Sequence, residues 1–173
     1  MNKAVFLDRD GTINVDVDYL HECDKLKFID GTVKALKILR EKGYLLIVVS
    51  NQSGVGRGYF SISDVNAVNN YMNELLEPND VRIDAFYCCP HSEKDNCICR
   101  KPKTYLYEKA AADFDIDISA SYMVGDKYTD ILPAIKLGCG YGLVLSGHDI
   151  ACEVLEEHKE HVYDNLLEFA KSI

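Results

Sequence analysis

The sequence predicts an α/β protein, a Rossmann-like three-layer domain around a central parallel sheet. Two features of the chain point there. Short, uninterrupted apolar runs recur along it, and stretches of helical hydrophobic period separate them. A sheet with one wet face would alternate apolar and polar residues instead; continuous apolar strands belong to a sheet covered on both sides. The 173 residues suit one such domain, residues 1–173, with little left for a second.

Taken in order, the first strand is Ala4 to Leu7, which starts too early to leave room for a signal peptide, so a cytoplasmic location is expected. Thr32 to Glu41 sets Val33, Leu36, Ile38 and Leu39 among lysines and arginines, a helix opened by Asp30-Gly31 and stopped by Gly43. Tyr44 to Val49 is the second strand. Ile62 to Leu76 is a helix with Ser63-Asp64 as its start signal, and Ile83 to Cys88 the third strand. The helix Tyr105 to Phe114, the strand Tyr122 to Val124 and the helix Thr129 to Leu137, stopped by Gly138, follow. Gly142 to Leu145 is the fifth strand, a short sixth lies at His161 to Tyr163, and Asn165 to Ile173 is the last helix. The acidic run Glu153 to Glu160 reads as a solvated helix face. Two connections, Ile13 to Phe28 and Cys89 to Lys101, exceed ordinary turns, and long ordered loops in compact domains are often functional.

Composition narrows the function. Hydrophobic residues at 47% and charged residues at 27% are those of a folded chain. A net charge of −9 argues against a general nucleic-acid binder. It leaves room for a local cationic pocket that takes a small anion. No apolar run is long enough to span a bilayer, and nothing marks an interface, so a monomer without membrane or nucleic-acid partners is expected.

Chemistry-bearing residues gather where strands end, the place where open parallel sheets bind ligands. The first strand runs into Asp8-Arg9-Asp10-Gly11-Thr12, the second into Ser50-Asn51-Gln52-Ser53-Gly54. After the third comes Arg100-Lys101-Pro102, and the fourth ends in Gly125-Asp126-Lys127, with Asp130 one helical turn on. Each cluster alone has a bland reading as a turn, a cap or a surface cation pair. All four at successive strand ends are hard to explain that way. A carboxylate at Asp8 can attack phosphorus, and a second at Asp10 can give and take a proton. Mg²⁺ prefers hard oxygen ligands, for which Asp8, Asp126 and the backbone carbonyl of Asp10 are suited. Lys101 and Ser50 would hold the remaining phosphoryl oxygens.

These motifs, in this order, resemble the aspartate-nucleophile phosphatases of the haloacid dehalogenase superfamily over essentially the whole chain. The finer text resembles the branch acting on heptose bisphosphate, with histidinol-phosphate phosphatases close by. That resemblance implies a small phosphorylated sugar as substrate, a minimal cap, Asp8 as nucleophile, Asp10 as acid/base, and substrate contacts from Asp16, Val17, Asp18, Tyr19, Asn51, Gln52, Ser53, Arg100 and Lys127. Arg57 is as readily a loop-stabilising residue as a contact. Ser50 stands where threonine is common, and Thr104-Tyr105 replaces a Pro/Gly turn. A binding module that has lost catalysis is the reading from another class, although every catalytic position is filled.

Seven cysteines remain. Cys89-Pro90-His91 and Cys97-Ile98-Cys99 offer three thiolates and an imidazole, enough for a closed tetrahedral zinc site. A set of plain thiols beside a stray histidine is the alternative on chemistry alone. The resemblance implies zinc, held by Cys89, His91, Cys97 and Cys99 in a loop of residues 89–101. Strand alternation sets Cys88 on the opposite face from Cys89. Cys23, Cys139 and Cys152 lack partners at metal-site spacing, and His148, His158 and His161 receive no chemistry.

Overall fold

Along β1 (Lys3–Leu7) side chains alternate between two faces, and both faces are apolar and buried. Val5 and Leu7 enter one core with Leu46 and Val48; Ala4 and Phe6 enter a second with Ile47 and Val49. A sheet wet on neither side must be roofed twice. In this computed structural model, which describes residues 1–173, α1 (Thr32–Glu41), α3 (Ile62–Leu76) and α7 (Leu166–Ser172) cover the first face. On the second lie α4 (Tyr105–Phe114) and α5 (Tyr128–Leu137). Two short helices, α2 (Ser53–Gly56) and α6 (Cys152–Glu157), complete the set.

With β2 (Tyr44–Asn51), β3 (Ala85–Cys89), β4 (Tyr122–Gly125), β5 (Gly140–Val144) and β6 (Val162–Tyr163), the sheet has six strands in the order β3-β2-β1-β4-β5-β6. Every pairing is parallel. The order reverses at β1, whose neighbours are β2 and β4. Such a switch point opens a crevice at the carboxyl ends of the two central strands.

The predicted α/β class and strand count stand, while several boundaries move: β2 runs on to Asn51, and three others shift for local reasons. The third strand starts at Ala85, not Ile83. The Asn73 side chain takes both backbone groups of Ile83; the Asp84 N–H still reaches the Leu46 carbonyl at 2.8 Å, but the Asp84 carboxylate takes the Leu46 N–H, so the ladder goes no further back. Helix α3 is capped by Ser61 instead of Ser63-Asp64. The Ser61 hydroxyl accepts from the Asp64 N–H at 3.2 Å, and the Asp64 carboxylate accepts from the Ser61 N–H at 2.7 Å, a reciprocal capping box. The strand expected from Gly142 begins at Gly140, where the missing side chain admits the Tyr122 ring. Helix α2, just after β2, was not anticipated.

Candidate active site and metal centres

The Asp8 N–H donates to the Val124 carbonyl at 2.9 Å, carrying the ladder one residue past β1 before the chain breaks away. Thr12, Ile13 and Asn14 then all direct their N–H groups at the Arg9 carbonyl. Gly11 makes this knot possible. Its φ of 88° is left-handed, and a Cβ there would sit 2.3 Å from Asp126 Oδ2. The two aspartates therefore diverge: Asp8 turns into the switch-point crevice, and Asp10 is gripped from behind.

That grip comes from Arg9 and Asn14, to which the sequence assigns no role, and from Gln52, expected there as a substrate contact. Arg9 is fully buried and sends Nε and Nη2 to both oxygens of Asp10 at 3.0–3.3 Å. Nη1 donates to Asn69 Oδ1, and Nη2 is shared further with the Leu20 carbonyl and Gln52 Oε1. Asn14 donates to Asp10 Oδ1 at 2.9 Å and Gln52 to Asp10 Oδ2 at 3.0 Å. A signal existed: alternation puts Arg9 on the inward face of Leu7, where a cation needs a partner.

Lys101 lies at the centre. Its Nζ donates to Asp8 Oδ1 at 2.8 Å and to the Val49 carbonyl at 2.8 Å, and pairs with Asp130 Oδ1 at 2.7 Å. Burial by itself would lower the lysine pKa, but Asp130 and Asp8 reverse it and hold the ammonium above its ordinary value. Burial likewise raises the Asp8 carboxyl, and the Lys101 charge overcomes it, leaving Asp8 below the usual carboxylate range. For Asp130 burial and the neighbouring Asp8 prevail, and its pKa rises to about 6. Asp126 is also raised, by burial and by Asp8. Asn51 fixes the lysine's backbone, accepting the Lys101 N–H at 3.0 Å and donating to its carbonyl at 3.3 Å.

Asp8, Asp126 and Asp130 offer carboxylate oxygens all within 4.8 Å of one another. Asp126 is wholly buried, yet its Oδ1 has no hydrogen-bond partner. An orphaned carboxylate oxygen beside two other carboxylates fits a hard divalent cation such as Mg²⁺. The Asp10 side chain is outside this group, so only its backbone carbonyl is available to a cation there. The other Asp126 oxygen accepts from the backbone N–H of His148 at 2.9 Å and lies 2.7 Å from its ring Nδ1. His148, to which the sequence assigns no chemistry, thus lies against Asp126, because the loop after β5 folds back over the carboxylates, which no spacing in the sequence reveals.

Above the carboxylates opens a cleft of about 780 Å³ whose walls include Ser53, Arg100, Lys103, Lys127 and His148. Cations outnumber the lone acidic lining residue, Glu93. Ser50 is buried below, bonded to Gln52 Nε2 at 3.3 Å, so the Gln52 amide bridges Ser50 and Asp10. In the loop after β1, Asp18 and Tyr19 adopt left-handed φ of 51° and 59°, and Val17 and Tyr19 stay exposed. Asp16 comes within 3.3 Å of the His148 ring. Arg57 is exposed, with no side-chain bond.

Cys89, the last residue of β3, meets His91, Cys97 and Cys99 from the loop that follows, their ligand atoms within 4.8 Å of one another. The sulfur–sulfur distances are 3.1–3.6 Å, and His91 Nδ1 lies 3.3 Å from Cys99 and 3.6 Å from Cys89. A tetrahedral Zn²⁺ with ordinary Zn–S bonds sets its sulfurs about 3.8 Å apart, so this donor set fits zinc after slight expansion. Cys88 stands outside it.

A parallel α/β sheet with carboxylates and a buried lysine at its switch point matches one class of protein, the HAD-like hydrolases. A family model described as HAD-hydrolase-like matches residues 98–169. A D-glycero-β-D-manno-heptose-1,7-bisphosphate 7-phosphatase of Escherichia coli K12 is 39% identical over 178 aligned positions, covering 98% of this chain and 93% of that one. Its counterpart in Haemophilus influenzae is 46% identical over 141 residues, 78% of this chain and 77% of the relative. The crystal structure of D,D-heptose 1,7-bisphosphate phosphatase from B. bronchiseptica, complexed with magnesium and phosphate, superposes with a TM-score of 0.87 at 31% identity, covering 98% and 97% of the two chains. The chain belongs to the HAD-like hydrolases, in the family of these heptose bisphosphate phosphatases.

Proposed function

We propose that this chain is a Mg²⁺-dependent phosphomonoesterase that removes the 7-phosphate of D-glycero-D-manno-heptose 1,7-bisphosphate. One observation carries the reading: Asp8, held ionised by a buried Lys101, sits with two further carboxylates, and the hollow that Asp8 lines shares Lys101 and Lys127 with the neighbouring cationic cleft. The names of its relatives supply the sugar.

Asp8 attacks phosphorus through a carboxylate oxygen while the sugar C7 oxygen departs and takes a proton from Asp10. The aspartyl-phosphate so formed is opened by a water that gives its proton back to Asp10, and inorganic phosphate leaves. Lys101 and the Ser50 hydroxyl bind the equatorial phosphoryl oxygens through both steps. Arg9, Asn14 and Gln52 fix the Asp10 carboxylate in reach of the leaving oxygen. Asp8, Asp126 and the Asp10 carbonyl would hold Mg²⁺, which neutralises phosphoryl charge when bound. Arg100 and Lys127 suit the distal phosphate, with Asn51, Gln52, Ser53 and the Asp16 to Tyr19 loop around the sugar. Cys89, His91, Cys97 and Cys99 would hold Zn²⁺ with no position left for substrate, and would so order the loop that presents Arg100 and Lys101.

Residues 1–173 act as one domain, since both cores share one sheet. No helix is long and apolar enough to cross a membrane, and the enzyme works as a cytoplasmic monomer. Phosphate release across heptose bisphosphate, fructose bisphosphate and histidinol phosphate tests the substrate. Best turnover is expected on the heptose; preference for histidinol phosphate would overturn the substrate, and no Mg²⁺-dependent release from any of them would favour a binding module.

A further inference from the structure

We propose that His148 is a positioning residue that aims Asp126 at the metal and ties the substrate loop to it. The inference rests on Asp126 being a metal ligand, as argued above. An ionised Asp126 can accept a bond from the ring only if Nδ1 carries the proton, and it accepts the backbone N–H of the same residue as well. Both bonds fall on Oδ2. Oδ1 is left buried and free. A carboxylate with one oxygen occupied twice and the other bare is already turned for coordination, the usual work of groups behind a metal ligand.

The other side of the ring reaches elsewhere. Nε2 lies 3.3 Å from Asp16 Oδ2, in the loop after β1. Asp16 Oδ1 in turn accepts the Asp18 N–H at 3.0 Å, which fixes the left-handed turn that presents Tyr19. The ring is 43% exposed and forms part of the cleft wall. One side chain thus spans the metal carboxylate and the segment that meets the sugar. The segment carrying it is pinned independently, because Ser146 Oγ donates to the Gly11 carbonyl at 2.8 Å. Removing the ring should therefore leave the backbone bond to Asp126 standing.

Titrating Mn²⁺ into zinc-replete protein, and following the free ion by electron paramagnetic resonance, tests this without turnover. His148→Ala should weaken Mn²⁺ about tenfold. His148→Asn, whose amide N–H falls near the place of Nδ1, should restore most of that affinity. It cannot reach Asp16, so its KM for heptose bisphosphate should stay raised while kcat recovers. An equal loss in His148→Ala and His148→Asn would trace the effect to packing and overturn the role. So would wild-type Mn²⁺ binding in His148→Ala when Asp126→Asn has lost it. Undiminished binding in Asp126→Asn would instead remove the metal assignment itself, and this inference with it.

Discussion

Lys101 neutralises two buried carboxylates at once, and that burden gives it separable effects on folding and on turnover. Lys101→Met should cost about 3–5 kcal/mol of stability, since both carboxylates lose their partner; urea melts of the metal-free protein check this. Asp8→Asn should keep the fold, because Asp130 still pairs with Lys101, while lowering Mg²⁺-dependent turnover by about a thousandfold or more. A variant that loses turnover because it has unfolded would contradict this. Arg9 shapes the neighbouring carboxylate without reaching the crevice. Lysine has no planar fork, so Arg9→Lys should lower kcat about a hundredfold while leaving KM within about twofold. At this scale the sequence exposed the carboxylates and cations, because chemistry at strand ends announces itself. It concealed Arg9 and His148, whose partners arrive from residues 60 and 22 positions away.

Among the elements, the loop from Cys89 to Lys101 depends most on something other than a core. Beyond Cys89, which ends β3, it has one turn at Glu93–Asp95 and no other regular structure, and the cysteine–histidine cluster converges on it. Removing zinc with a chelator should slow turnover steeply and raise amide exchange between Pro90 and Pro102, with the sheet still protected. Unchanged turnover in the stripped enzyme would refute that dependence. Helix α3 offers a calibration far from the chemistry. Ser61→Ala should lower stability by about 1 kcal/mol, read as a shifted denaturation midpoint, with activity intact. Helices and strands were legible to within a few residues because period and caps are written locally. The start of β3 was not, since Asn73 and Asp84 compete for its ladder bonds from outside the strand.

For the molecule as a whole, charge and topology pull in different directions. A net charge of −9 repels an anionic substrate at long range, whereas the cleft beside the switch point attracts it at short range. Between about 0.05 and 0.5 M salt the cleft attraction should be screened more strongly, so KM for a bisphosphate should rise and kcat stay level. A KM that falls with salt would mean that overall repulsion dominates. The α/β architecture was readable from alternating element types alone. Which loop would fold over which strand end was not, because that depends on contacts between segments far apart in sequence. The two glycines pressed against Asp126 carry that point into the language of tolerated variation. A Cβ at Gly11 would lie 2.3 Å from its carboxylate, and one at Gly147 only 2.0 Å. A saturation library selected for activity should return glycine alone at both positions. New specificities in this scaffold must then arise by lengthening the rim, never by editing the seam beneath it.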